Sequence, residues 1–198
     1  MILSSDIVIL SFLWFAVPFI VIVYGGFLLF THPPKEVLGV SLLGGLVVGI
    51  VNMLGDLLAY YAHWWHYGLS NLTLNVPLPF YITPVLVYGS IAYLLIWRFW
   101  QGRGRWFSLL LLIGVPIFTS LKDIYGALTQ TSYATWQNVP MAIILTIVMW
   151  YVAFYGGYFL FRRLAPERVL YDDEEEDGED ADEEDVAEEI SEEHANSN

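Results

Sequence analysis

The chain contains no cysteine, which excludes disulfides and thiolate metal sites and leaves its redox compartment unmarked. Lysine is nearly missing too, with Lys35 and Lys122 the only two. The few basic residues are strung out along the chain, so the clustered basic surface of a nucleic-acid binder is absent and no nucleic-acid partner is expected. No phosphate loop, dinucleotide fingerprint or nucleophile elbow is present. The N-terminus has no basic flank and its first apolar run is too long for a leader's core, so no cleavable signal peptide is expected. Charge is scarce overall, at 15% of residues, against about 25% in an average soluble domain.

Most of that charge sits at one end. Residues 171–198 hold 16 acids and no Lys or Arg, whereas residues 1–170 hold eight bases against five acids. The low isoelectric point is therefore a property of the tail. Highly charged and poor in apolar residues, the tail is expected to be disordered, either docking a cytoplasmic protein partner of basic character or serving as a solubiliser. An acid-rich, lysine-poor chain would also suit a salt-rich cytoplasm.

What the chain has in abundance is apolar sequence. Five long apolar runs fill the region before the tail: Ile7 to Phe30, Val37 to about Tyr61, Leu78 to Trp97, Trp106 to about Leu128, and Val139 to Phe161. Each reaches the roughly 20 residues that a spanning helix requires, and backbone in hydrocarbon must be hydrogen-bonded within its own segment. The expected fold is all-α: a polytopic membrane bundle of five transmembrane helices over residues 1–170, followed by the tail at 171–198. The expected location is the cell membrane, with the lipid bilayer as the first partner.

The charges orient it. Lys35 follows the first run, Arg98, Arg103 and Arg105 follow the third, and Arg162, Arg163 and Arg168 follow the fifth. The connections on the opposite side, residues 62–77 and 129–138, carry no Lys or Arg. The positive-inside rule then places the N-terminus outside and the C-terminus in the cytoplasm. Tryptophans mark both boundaries, Trp97, Trp100 and Trp106 inside and Trp64, Trp65 and Trp136 outside. Asn71-Leu72-Thr73 is a formal glycosylation acceptor on that outer side. Pro18, Pro84 and Pro116 fall within spans, where each favours a kink or a widened cavity. Gly44, Gly45 and Gly49, with Gly156 and Gly157, predict close helix crossings.

The sequence also suggests an internal repeat. Asn75-Val76-Pro77 opens the third run and Asn138-Val139-Pro140 opens the fifth, 63 residues later; Thr83 and Thr146, and Tyr88 and Tyr151, match at the same offset. Asp56 and Asp123 occupy similar places near the ends of the second and fourth runs. The pattern reads either as a two-helix tandem duplication or as capping chemistry shared by two unrelated helices, since Asn caps well and Pro is tolerated in a first turn.

Ionisable residues inside spans are costly and mark candidate sites. Asp56, Lys122 and Asp123 qualify, all at similar depth near the outer boundary. Helical spacing puts Asn52, Asp56 and His63 on one face of the second helix, with Tyr60 close to it. The simplest arrangement pairs Asp56 with Lys122 and leaves Asp123 free to work as an acid. Asp56, Lys122 and Asp123 are therefore the candidate catalytic set. Asn52, Tyr60, His63, Trp64, Asn75, Thr83, Asn138 and Thr146 are the candidate ligand-binding residues between the two halves. A structural ion pair at a helix end explains the same charges without catalysis. His63 and His66 could share a metal only with further ligands, which the sequence does not supply, so neither a metal nor any other cofactor is expected.

The stretch from Asp56 to Arg98 combines a Trp- and Tyr-rich outer segment (Trp64, Trp65, Tyr67) with a short loop and a Pro-led helix. In this it resembles the membrane-embedded lycopene cyclase domain of carotenoid biosynthesis, which is also built from tandem repeats. The resemblance implies an isoprenoid, carotenoid-like ligand held between helix repeats. That family carries an acidic pair just after the proline. Here the corresponding residues are Pro77-Leu78-Pro79-Phe80 and Pro140-Met141-Ala142-Ile143, so lycopene cyclisation by the same acids is not implied. Two functional expectations follow: a lipid- or isoprenoid-binding membrane protein with a potential acid site, or a non-catalytic membrane subunit or assembly factor that docks a partner through its tail.

Overall fold

A computed structural model describes residues 5–69, 72–100, 104–130 and 133–166. Arg103, Arg168, the Asn71 acceptor and the acidic tail lie outside these residues. Five helices are long and apolar enough to cross a membrane: α1 (Ile7–Thr31), α2 (Lys35–Tyr61), α3 (Leu78–Phe99), α4 (Arg105–Leu128) and α5 (Val139–Leu164). Their surfaces carry large exposed apolar side chains, among them Trp14, Phe15, Ile22 and Phe159. Such surfaces would be a liability in water and suit hydrocarbon.

α2 is the central helix, and glycine lets its neighbours come close. On one face Gly44 meets Gly157 of α5, where a Cβ on either would collide with the other's carbonyl oxygen. On an adjacent face Gly45 meets Gly89 of α3, and a Cβ on Gly45 would run into the Val85 carbonyl. Of the glycines expected to make tight contacts, Gly44, Gly45, Gly49 and Gly157 therefore make them within one chain, whereas Gly156 does not. Tyr93 of α3 is fully buried in the core that results; its hydroxyl donates to the Phe154 carbonyl at 2.7 Å and its ring stacks on Phe161. A chain of hydroxyls, Tyr24 to Ser90 to Ser41 at 2.9 Å each, links α1, α3 and α2.

The prolines behave differently from one another. α1 is π-helical over Phe12–Ala16, just before Pro18, and α3 opens as a 3-10 turn over Leu78–Tyr81 before a π-helical stretch over Pro84–Ile91. Around Pro116, α4 stays α-helical. The Leu112 carbonyl, whose partner the proline removes, accepts instead from the Tyr155 hydroxyl of α5 at 3.1 Å.

One feature departs from an all-helical expectation. The α2–α3 and α4–α5 connections each contribute a short strand, β1 (Trp65–Tyr67) and β2 (Ala134–Trp136), paired antiparallel with Trp65 opposite Trp136, His66 opposite Thr135 and Tyr67 opposite Ala134. Outside the apolar runs, β-branched and aromatic residues favour extended backbone, and pairing satisfies polar groups that water would otherwise have to reach. The pairing places both connections at one end of the bundle. At the other end the Arg105 and Arg162 guanidiniums both lie over the Trp100 ring, 5.7 and 5.4 Å from its centroid.

The two Asn-Val-Pro openings are not structurally alike. Asn138 caps α5, its side chain accepting from the Met141 amide at 3.3 Å. Asn75 instead lies outside α3 in a left-handed conformation (φ 60°), following Leu74 in the same region (φ 56°). The shared tripeptide therefore does not reflect shared capping.

Candidate functional site

Asp56 sits near the strand-pair end of α2, where the sequence put it, and is buried. A carboxylate in such a place needs donors, and three aromatic side chains supply them. Trp65 Nε1 of β1 donates to Oδ1 at 3.3 Å, while the hydroxyls of Tyr67 (β1) and Tyr81 (α3) donate to Oδ2 at 2.9 and 2.5 Å. β1 can deliver two of these because the chain turns sharply after α2. Ala62 caps the helix, His63 takes a left-handed φ of 57°, and the Trp64 amide bonds back to the Ala59 carbonyl. Burial, together with the nearby negative charge of Asp56, raises the Tyr67 hydroxyl well above the usual phenol range, so it holds its proton and donates.

The expected Asp56–Lys122 ion pair does not form. Lys122 instead pairs with its neighbour Asp123, Nζ to Oδ1 at 2.8 Å, and its ammonium lies 5.5 Å from the Tyr88 ring centroid. Trp150 Nε1 of α5 completes the second carboxylate, donating to Asp123 Oδ2 at 2.6 Å. The reason is local. Both side chains are about 40% exposed and flexible enough to meet one residue apart, whereas Asp56 is already saturated by rigid donors. Asp123, expected to be the free acid, is the neutralised one.

All three ionisable residues nonetheless face one cavity of about 450 Å³. It lies between the two helix pairs: α2 brings Asp56, α3 Phe80, α4 Lys122 and Asp123, and α5 Thr146 and Met149. β1 and β2 roof it with Trp65 and Trp136, whose rings stack at 6.2 Å. A second, more apolar groove of about 610 Å³ runs between α1 and α3, lined by Phe12 and Phe15 of the first π-helical turn and by Thr83, Pro84 and Tyr88 of α3. Phe80, Lys122 and Tyr133 border both spaces. Phe80 also packs against Phe12 and Tyr133, at centroid distances of 4.4 and 6.0 Å.

The expected ligand-binding residues scatter around this centre. Thr146 lines the carboxylate cavity and Thr83 the apolar groove. Tyr60, His63 and Asn75 line a third cavity, of about 620 Å³, at the strand-pair end. Asn52 is buried and donates to the Val48 carbonyl of its own helix at 2.9 Å. Trp64 packs in the small core beneath the strands, and Asn138 is a helix cap. His63 leaves the Asp56 face because α2 stops at Tyr61, and His66 lies on β1. Among the described residues no group of three His, Asp or Glu could hold a metal. No pattern in the sequence points to Tyr81, Tyr133 or Trp150. The usable signal was the shortage of cations: a buried acid in a chain this rich in Tyr and Trp has to be satisfied by aromatic donors.

No protein-family model, no curated protein and no solved structure matches the chain.

Proposed function

We propose that the chain is a multi-pass membrane protein that binds a long apolar ligand, of isoprenoid or lipid type, between its two helix pairs. The observation that carries this reading is the continuity of an apolar groove and an acid-bearing cavity through Phe80, Lys122 and Tyr133. A linear ligand entering from the lipid phase beside α1 lays its chain along Phe12, Phe15 and Tyr88. Its end then reaches Asp56 and the Lys122–Asp123 pair. Aromatic walls suit a polyene or isoprenoid chain by stacking and dispersion. A proton-transfer step at the ligand's end would use Asp56 as the acid, since Lys122 already neutralises Asp123.

The orientation and the repeat belong to the same proposal. The strand-pair end faces outward and the arginine end faces the cytoplasm, by the positive-inside rule. The α2–α3 and α4–α5 pairs act as parallel repeats with the site at their interface; antiparallel pairing of the equivalent loops supports this, and the unequal Asn75 and Asn138 geometries limit it to the helices. The resemblance to the lycopene cyclase domain bears on the class of ligand. The acids in this reading come from α2 and α4, not from the Pro-led helices, so the chemistry differs from that family's.

The test is mass spectrometry of the lipid that stays bound to the full chain after mild detergent extraction. An isoprenoid or single lipid class enriched over the bulk membrane, and lost in Phe80→Trp, is the expected result. Bound lipid that mirrors the membrane, unchanged by that substitution, would refute the reading.

A further inference from the structure

The cavity at the strand-pair end does not belong to the ligand path, yet one side chain joins it to Asp56. Tyr67 lines this cavity together with His63 and His66, and it also lines the carboxylate cavity. Its hydroxyl donates to Asp56 Oδ2 at 2.9 Å. Tyr81 donates to the same oxygen but lines neither cavity. Of the two hydroxyls on Oδ2, therefore, only that of Tyr67 belongs to a side chain that lines both cavities.

We propose that Tyr67 is the proton-passing residue between the outer cavity and Asp56. This rests on the reading of Asp56 as the acid of the ligand cavity. A hydronium ion in the outer cavity, or the imidazolium of His63 or His66, gives a proton to Tyr67 Oη. The proton already on Oη moves along the existing hydrogen bond to Asp56 Oδ2. Rotation of the hydroxyl resets the phenol, so Tyr67 gains and loses one proton and stays neutral throughout. Its raised affinity for its proton keeps it in the neutral form that this relay requires. The other groups facing Asp56 or its cavity are Trp65 from β1, Tyr81 from α3, Lys122, Asp123 and Tyr125 from α4, Tyr133 before β2 and Trp136 on it; α5 presents only Thr146 and Met149. None of these borders the outer cavity, whereas Tyr67 does.

The experiment follows the carboxyl stretch of Asp56 by infrared spectroscopy after a pH jump, using the full chain in sealed vesicles with the strand-pair end facing the medium. Asp56→Asn identifies the band. The expected result is that Tyr67→Phe slows the response by at least about tenfold, while Tyr81→Phe leaves it within about twofold of the unsubstituted protein. Equal slowing in both variants would assign a purely structural effect and overturn the proposal. So would an unslowed Tyr67→Phe, or an Asp56 band that does not respond to pH in the folded protein. The readout needs no bound ligand. A Tyr67-dependent response in a protein whose bound lipid mirrors the bulk membrane would therefore refute the ligand reading and leave the relay standing.

Discussion

Asp56 and Asp123 stand at matching places on α2 and α4, face the same cavity, and are stabilised in opposite ways. Asp56 is buried and held by three neutral donors from two other elements, with no cation among its bonded partners. Asp123 is about one-third exposed and takes a cation from the adjacent residue and one indole N–H from α5. Bringing a second charge into a dry site carries a large desolvation cost, which fixed hydroxyl and indole dipoles avoid. The comparison teaches that burial, and not the mere presence of a lysine nearby, decides how a carboxylate in this bundle is satisfied. It also assigns roles. Asp123 with Lys122 is a neutral pair, and Asp56 is the group left with an unneutralised charge or a proton to give.

The largest expected effect is in stability. Asp56→Ala strands the Trp65, Tyr67 and Tyr81 donors in a buried place, at roughly 1–3 kcal/mol for each one left unsatisfied. Thermal unfolding in detergent should show a loss of at least about 3 kcal/mol. Asp123→Ala leaves one indole donor, Trp150, without its acceptor and the half-exposed Lys122 without its partner, and should cost less, about 1–2 kcal/mol. Equal losses for the two substitutions would put the carboxylates on the same footing.

A smaller effect separates the cation from the cavity. Lys122→Met removes the partner of Asp123 but no bonded partner of Asp56. The partly exposed pair should be worth no more than about 1 kcal/mol in the same unfolding measurement. Its removal should leave the Asp56 infrared band where it was. Displacement of that band would show that Lys122 answers to Asp56 as well.

Much of this was legible in the residues and some was not. The five helices follow from run length alone, because hydrocarbon tolerates no other local backbone solution for such sequences. The convergence of Asp56, Lys122 and Asp123 was readable from their common depth. The pairing among them was not, because depth along a helix says nothing of which side chain reaches which. Trp65 looked like an interfacial anchor and is spent instead on Asp56. β1 and β2 are not legible in the sequence, because three residues of strand carry no period that a sequence can display. Helical spacing puts His63 on the Asp56 face only if α2 continues past Tyr61, and nothing in Ala62-His63 signals the left-handed turn that ends it.

The smallest expected effect concerns salt. A half-exposed ion pair is screened as the Debye length falls from about 10 Å at 0.1 M to about 3 Å at 1 M, whereas hydrogen bonds from neutral phenols and an indole to a buried carboxylate are not. The unsubstituted protein should therefore lose a few tenths of a kcal/mol, roughly 0.3–0.5, over that range relative to Lys122→Met. In Tyr81→Phe, which weakens only the Asp56 cluster, the same salt dependence should persist in full. A salt response that vanished in Tyr81→Phe would mean that the screened charge belongs to Asp56. Lys122 would then be dividing its charge between the two carboxylates, Asp123 would recover acidity of its own, and the site would hold two competing acids instead of one.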